Sequence, residues 1–336
     1  MNEKPRLRVG IACNIRVDDS SEAQAEYDDP ETVAAIAEAL RTGGFEPIIM
    51  EVSEGFPQKL AAEKPDIVFN IAEGKYGRAR EAQVPAILDY FGIPYTGSDA
   101  VALAVSLDKA LTKRVVRSLG IETPVFAAIK NGTLELPCDL PFPVIVKPNA
   151  EGSGKGISDT SVAESPAELR ELADNAAECC EGDLIAEQFI DGREFTVGIL
   201  GNGPDRRVFD PMEVIFNKQK GRHKIYSYEV KSNFHDYIIY RCPPELPDYL
   251  KARMARDAEA VYEALGCRDF ARIDFRLSID DKVYFLEVNP LPGLAPGYSD
   301  FPMLAEFNGV GYNDLICRML QCALIRYGME AAKSHE

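Results

Sequence analysis

The sequence predicts an α/β protein: a mostly parallel N-terminal sheet covered on both faces, followed by a longer α+β portion that ends in an antiparallel hairpin. Three observations carry that expectation. Apolar strands alternate with amphipathic helices over the first hundred residues, the rhythm of a parallel sheet with helices on both faces. From about Ala100 a basic amphipathic helix, a glycine-rich loop and further strands replace that rhythm. Near the C-terminus RIDFRLSI and VYFLEVN each alternate apolar and polar residues about a turn at Asp280-Asp281, as the arms of a hairpin do.

Taken in order, LRVGIAC is the first strand. Asp29, Pro30 and Glu31 supply an N-cap, a first-turn proline and a first-turn acid. The helix they open turns Val33, Ile36, Ala37 and Leu40 inward, and Gly43-Gly44 stops it. PIIMEV and DIVFNIA are buried strands, EAQVPAILDYFG is a second helix, and IPYTGS closes a unit of residues 1–99. Such a sheet binds ligands beyond the carboxyl ends of its strands, here the loops after Cys13 and Ile71. VSLDKALTKRVVRSLGI reads as one helix, ETPVFAAI and FPVIVKP as strands, and a helix runs from about Ser165 to Cys180. LIAEQFI and REFTVGIL are further strands, so units of residues 100–187 and 188–336 follow the first. The last unit holds a stretch rich in lysine and tyrosine from Asn217 to Arg241, a helix near Asp248 to Leu265, the hairpin, and a helix from about Tyr312 to Ala332.

Composition narrows the function. An apolar share of 46% with 27% charged residues is ordinary for a soluble globular chain. No apolar run reaches membrane-spanning length, and no signal-peptide core follows the N-terminal charges, so a cytoplasmic protein with no membrane contact is expected. The eight cysteines form no CxxC pair and read as small buried residues in a reducing compartment. Three histidines and no tryptophan leave little material for a histidine zinc site or triad. A formal charge of −17 argues against nucleic acid, which is bound through clustered Lys and Arg. An anionic small ligand needs basic residues concentrated locally.

Four constellations supply them. The hairpin puts Arg272, Asp274 and Arg276 on one face of its first arm, with Glu287 and Asn289 on one face of the second. Carboxylate and amide oxygens suit magnesium, which keeps waters and completes its shell with phosphates. The site is thus a candidate for two divalent cations and a triphosphate, the alternative being a surface hairpin with solvated acids. In VIVKPNAEGSGKGI, Lys147 ends a strand, and the Gly152 to Gly156 loop, with Ser153, Gly154 and Lys155, lets backbone N–H groups approach phosphate oxygens. It is neither a P-loop nor a dinucleotide fingerprint, and by itself it is equally a glycine-rich turn. In LIAEQFIDGREFTV, backbone groups near Gln188 and Ile190 suit a purine edge and Glu194 suits ribose hydroxyls. Alternatively Glu187 and Glu194 only flank a turn at Asp191-Gly192. Lys109, near a helix start, gains meaning only beside these groups.

Six segments, IPYTGS, SLDKALTK, PVIVKPNAEGSGKGIS, LIAEQFIDGREFTV, ARIDFRL and FLEVNPLPG, follow one another from Ile93 to Gly293. Together they resemble the successive motifs of the ATP-grasp superfamily, and specifically those of D-alanine–D-alanine ligases. The resemblance implies a Rossmann-like N-terminal sheet followed by a two-lobed ATP-grasp domain. It implies that Lys109 and Lys147 contact the ATP phosphates, that the loop with Gly152, Ser153 and Gly154 closes over them, and that Ser153 lies near the first substrate. Glu187, Gln188 and Ile190 would line the adenine, with Glu194 on the ribose and Lys231 reaching the phosphates from a lid. Asp274, Glu287 and Asn289 would hold two magnesium ions, or manganese, with Glu287 bridging. Arg272 would stabilise the oxyanion of the tetrahedral carbon, which makes Arg272, Ser153 and Lys231 the implied catalytic set. The implied reaction forms an acyl phosphate and ADP from a carboxylate and ATP, after which an amine expels phosphate to leave an amide. Such chemistry needs charge neutralisation and positioning more than acid–base groups, so the scarcity of histidine is no obstacle.

The departures concern the substrates. The family's glycine-rich turn with a glutamate is replaced by ACNIRVDDSSEAQAEYDDPET, in which no residue is assigned to that role. Its HGxxGEDG segment is replaced by NIAEGKYGRARE, with Glu73, Arg80 and Glu81 as substitutes, and its lid tyrosine corresponds to Ser232. Its Ser-Leu pair near the second substrate's carboxylate corresponds to Ser299-Asp300, a short way beyond Gly293. A carboxylate at position 300 repels an α-carboxylate unless it points away or is paired. The expectation is a ligase acting on amino-acid-like small molecules, as a homodimer. Its rivals are an authentic D-alanine–D-alanine ligase and a non-catalytic nucleotide-binding protein.

Overall fold

The computed structural model describes residues 6–18, 24, 26–130, 133–134, 140–152, 161–179, 182–217, 225 and 234–329. In the N-terminal unit β1 (Arg8–Cys13), α1 (Pro30–Thr42), β2 (Glu46–Glu51), α2 (Phe56–Glu63), β3 (Ile67–Asn70) and α3 (Gln83–Phe91) follow one another. The strands form a parallel sheet of order β2-β1-β3, extended by an isolated parallel bridge from Val68 to Tyr95. Helix α2 is absent from the sequence-based expectation. It buries only Phe56 and Leu60 before Lys64 closes it in the left-handed conformation, too few apolar positions for a helical period to show.

The helix expected across residues 105–121 is two helices, α4 (Ala100–Leu107) and α5 (Lys109–Ser118). Asp108 between them is extended at φ −81°, ψ 95°, and its carboxylate accepts from the Leu111 N–H. An aspartate that caps a new helix competes with continuation of the old one. Next come β4 (Phe126–Lys130), β5 (Thr133–Leu134), β6 (Val144–Pro148), β7 (Val162–Ala163), α6 (Pro166–Cys179) and β8 (Leu184–Gln188). They make an antiparallel sheet of order β5-β4-β8-β6-β7, onto which α6 packs through Leu169 and Ala173.

The last part contains β9 (Gly192–Leu200), β10 (Arg207–Val208), β11 (Met212–Phe216), α7 (Phe234–Tyr237), β12 (Ile238–Arg241), α8 (Asp248–Ala264), β13 (Phe270–Ser278), β14 (Val283–Asn289), α9 (Asp300–Phe307) and α10 (Tyr312–Arg326). Its antiparallel sheet runs β12-β11-β9-β13-β14, with β10 on β9. Met254, Ala258 and Val261 of α8 cover one face of it, against Val197, Ile273 and Phe285. The other face is shared. Phe301 and Leu304 of α9 and Met319 and Leu320 of α10 join one core with Val9, Ile11, Ile36 and Phe69. The C-terminal helices thus pack across the boundary into the N-terminal unit and fix it against the large antiparallel sheet. The final helix stops at Arg326 instead of running on toward Ala332, because Gly328 takes φ +66°. Among the described residues no helix is long and apolar enough to cross a membrane.

Candidate active site

The predicted hairpin positions the site, with one irregularity that matters. Arg272 pairs with Asn289 and Asp274 with Glu287, but the register then slips so that Phe275 faces Phe285. Leu286 is the extra residue of this bulge, and such a residue leaves backbone groups outside the ladder. The Lys113 ammonium takes up its carbonyl at 2.7 Å.

Two lysines are brought together by Asn149, two residues beyond Lys147. Its carbonyl accepts from Lys109 N, its side-chain oxygen accepts from Ala110 N, and its amide donates to Asp108. The start of α5 is thereby tied to the end of β6, which sets Lys109 beside Lys147. Both lysines are buried, and Lys109 lies 3.6 Å from Glu287. Lys113, one turn beyond Lys109, is fully enclosed and pairs with Glu187 at 3.1 Å, while Lys147 holds the other oxygen of that carboxylate. Burial pushes the Lys113 amine down to about 8 against the pull of Glu187. Burial also opposes ionisation of Glu187, but the two lysines outweigh it and hold that carboxyl below its ordinary value.

The same balance governs the metal-type residues. Burial works against the charge on Glu287, yet Lys109, Lys147 and Arg272 hold its carboxyl down at about 2. Asp274 is raised by burial and by Glu287, with Arg272 opposing. It accepts from Thr196 at 2.7 Å, from Asn289 at 3.1 Å and from Arg272 at 2.9 Å. Two carboxylates and an amide from facing strands form a hard-oxygen donor set that suits magnesium, with room in the shell for water and phosphate. Among the described residues no group of three or more His, Cys, Asp or Glu side chains makes a fuller metal cage. Glu194 pairs with Arg276 at 2.8 Å. The Gln188 N–H donates to Val125 O at 2.8 Å, so that position can meet a ligand only through its carbonyl and side chain.

Asp300 is paired. It is buried in the first turn of α9, lies 3.3 Å from the Arg272 guanidinium, and accepts from the Tyr240 hydroxyl at 3.1 Å. Arg272 is therefore held by Asp274 on one side and Asp300 on the other. Burial opposes its charge, and these two carboxylates overcome that opposition and raise its pKa.

A cavity of about 150 Å³ collects Lys109, Lys147, Gly152, Glu187, Gln188, Ile190, Glu194, Arg272, Asp274, Glu287 and Asp300, with Ile145, Phe189, Val214 and Ile225 as apolar wall. A second, of about 560 Å³, shares Gly152 and Arg272 with it and is lined by Glu73, Glu81, Asn289, Gly293 and Ser299. Ser299 accepts from Ala295 N, and a Cβ on Gly293 would come within 2.8 Å of its hydroxyl. Arg80 lines neither cavity. It is buried, bonded to both oxygens of Glu26 at 2.9 and 2.7 Å and to the Ala150 carbonyl. Glu26 accepts from Gly152 N at 2.7 Å, and a side chain at position 152 would collide with it. Ser153, Gly154 and Lys231 lie outside the described residues.

Sequence reasoning missed Lys113, Asn149 and Glu26. Lys113 stands four residues from Lys109 on an amphipathic helix, a spacing that shares one face, so that signal was readable. Glu26 had no local signal, because its partners are 54 and 126 residues away.

The family described as D-ala D-ala ligase C-terminus matches residues 115–321. The D-alanine–D-alanine ligase of Cupriavidus metallidurans is 36% identical over 283 residues, covering 84% of this chain and 81% of that protein. The D-alanine–D-alanine ligase of Aquifex aeolicus is 37% identical over 288 residues, covering 85% and 92%. Among solved structures, D-alanine–D-alanine ligase from Bacillus anthracis complexed with ATP superposes with a TM-score of 0.75 at 26% identity, over 96% of this chain and 99% of that one.

Proposed function

Because the chain belongs to the D-alanine–D-alanine ligase family and is an ATP-dependent carbon–nitrogen ligase, we propose that it joins the carboxylate of one small amino-acid-like molecule to the amine of another. The reaction passes through an acyl phosphate and releases ADP and phosphate. The observation that carries this reading is the convergence of Lys109, Lys147, Asp274, Glu287 and Arg272 on one cavity that shares Arg272 and Gly152 with a second, larger one. Phosphoryl transfer would take place in the first and the joined molecules would occupy the second.

The roles follow from the charges. Lys109 and Lys147 offset the negative oxygens of the transferred phosphoryl group, and the rigid tie through Asn149 means their placement costs no ordering when ATP binds. Ile145, Phe189, Val214 and Ile225 supply the apolar slot for the base, with Gln188 and Ile190 at its edge and Glu194 toward the ribose. Asp274, Glu287 and Asn289 would hold two magnesium ions, which would neutralise charge on the phosphates. Arg272 keeps its proton and is aimed by Asp274 and Asp300, so it faces the oxyanion that develops when the amine attacks. Ser153 and Lys231, from the glycine loop and the lysine-rich stretch, would close over the phosphates and keep water from the acyl phosphate. Free cysteines among the described residues and the need for ATP support a cytoplasmic setting.

The test is ADP release, with product identified by mass spectrometry, over pairs of D- and L-amino acids and simple amines in the presence of ATP and magnesium. An amide together with stoichiometric ADP is expected for at least one pair, and no ADP with any pair would sink the reading. A second reading, D-alanine as both substrates, is favoured by the names of the relatives. Robust turnover with D-alanine alone, and with nothing else in the panel, establishes it.

A further inference from the structure

Resting on the ligase reading above, we propose that the larger cavity takes a substrate with net positive charge: an amine with at least one ammonium more than it has carboxylates, such as a diamine or a basic amino compound. The cavity of about 560 Å³ is lined by Glu26, Asp28, Asp29, Glu31, Glu73 and Glu81, and among the described residues its basic lining is Arg16 and Arg272. Neither arginine brings surplus positive charge to the cavity. Arg16 bonds Asp29 through two nitrogens, and Arg272 is held by Asp274 and Asp300. Arg80 from behind the wall accounts for Glu26, and Glu31 is exposed at the first turn of α1, where the helix dipole favours a negative charge.

Asp28, Glu73 and Glu81 remain. Among the described residues no hydrogen bond or ion pair engages their side chains, although all three face the cavity and protein encloses them on other sides. Burial, with Asp29 adding, pushes the Asp28 carboxyl up to about 7. Burial, with Glu26 adding, pushes Glu81 to about 8, and Glu73 is raised by burial and by Glu81. Arg16 acts on Asp28, and Arg80 and Lys109 act on the two glutamates, but each of these cations is already held by another acid, Asp29, Glu26 or Glu287. Carboxylates in excess of their cations destabilise a fold, and here they surround the space a substrate enters. An alanine zwitterion brings one carboxylate for each ammonium and leaves the imbalance standing. A substrate with surplus ammonium groups removes it, and the volume lies in the range of sites that hold whole small molecules.

Isothermal titration in the presence of ADP and magnesium, with putrescine, D-lysine, L-lysine, D-alanine and D-glutamate as probes, tests the charge rule directly. At least one of the three cationic probes is expected to bind tenfold or more tighter than D-alanine, with D-glutamate weakest. The triple variant Asp28→Asn/Glu73→Gln/Glu81→Gln should lose that preference while ADP affinity stays within twofold. At pH 8.5, where these carboxyls are ionised, the variant should also melt higher than the parent, since it removes crowded charges; a lower melting temperature there would show the carboxylates to be structural partners and overturn the proposal. Equal or tighter binding of D-alanine or D-glutamate overturns it as well. ADP release with neutral amino acids and no preference for cations would sink this proposal and leave the ligase reading intact. Absence of ADP release with every pair removes the ligase reading, while the titration still decides the sign of the ligand.

Discussion

The two cavities meet at Arg272 and Gly152 and treat charge in opposite ways. Around the smaller one, each carboxylate has a cation beside it: Glu187 has Lys113 and Lys147, Glu194 has Arg276, Glu287 has Lys109, and Asp274 and Asp300 share Arg272. Around the larger one, Asp28, Glu73 and Glu81 make no direct ion pair among the described residues, and the cations that act on them, Arg16, Arg80 and Lys109, are paired with other acids. A balanced site is preorganised: its side chains are already held where a ligand of fixed charge needs them, and little reorganises on binding. An unbalanced site leaves its electrostatics to be completed by what enters. The contrast separates a cavity built to hold a ligand of fixed charge from one whose charge balance is left to its occupant.

The comparison predicts that changes in the balanced cavity are severe. Glu287→Gln has the largest expected effect. It removes a charge that three cations hold ionised and should lower ADP formation by about a thousandfold or more, the equivalent of several kcal/mol of lost charge stabilisation, with an unchanged circular dichroism spectrum. Near-normal turnover would refute the metal assignment. Lys113→Met comes next. It strips one of two cations from a fully buried carboxylate and should destabilise the fold by about 3–5 kcal/mol in denaturant titration. A neutral result would mean that Lys147 alone satisfies Glu187, and the picture of tight pairing on this side would fail.

Much of this was legible in the sequence, and the boundary of legibility has a physical cause. The hairpin, the lysines at 109 and 147 and the segment from Glu187 to Glu194 announce themselves because period-2 strands and glycine loops are local patterns. The bulge at Leu286 was invisible, since it depends on Lys113 claiming a carbonyl 173 residues away. The break at Asp108 was readable in principle, because aspartate is a favoured cap, but the apolar stripe continues through it and masks the change. Asp300 shows the opposite case. The sequence raised the question of a repelled carboxylate, and its pairing with Arg272 and Tyr240 settles how it is accommodated. Glu73 and Glu81 share the segment that replaces the family's HGxxGEDG, but Glu26 and Asp28 come from another, so the cavity they line together exists only in three dimensions.

Arg272 sits where the cavities join, so Arg272→Met sharpens the comparison itself. It removes the cation that serves both sides and leaves Asp274 and Asp300 buried without it. Amide-forming turnover should fall by about a hundredfold to a thousandfold, as for loss of one oxyanion partner, with a smaller change in ATP affinity. A loss confined to ATP affinity would contradict the oxyanion role and assign the residue wholly to the nucleotide side.

The mildest prediction concerns the unbalanced side and needs no substrate. Asp28 titrates near 7 in the folded chain and 3.8 is its ordinary value; for Glu81 the figures are about 8 and 4.5. Between those values the folded protein holds protons that the unfolded chain has released, so stability falls as pH rises through about 4 to 7 for Asp28 and about 4.5 to 8 for Glu81. Because Asp28 and Glu81 are partly exposed to the cavity, solvent screening reduces the effect to on the order of 1–2 kcal/mol. Scanning calorimetry should give a higher melting temperature near pH 5 than near pH 8.5. The net charge of −17 pushes the same way through general self-repulsion, which makes the triple variant the decisive control. If its profile between pH 5 and 8.5 is as steep as the parent's, the carboxylates of the larger cavity are not the source, and the contrast between the two sites loses its thermodynamic basis. A flatter profile, reproduced in the parent by a saturating cationic amine at pH 8.5, ties the same three side chains to both stability and substrate charge.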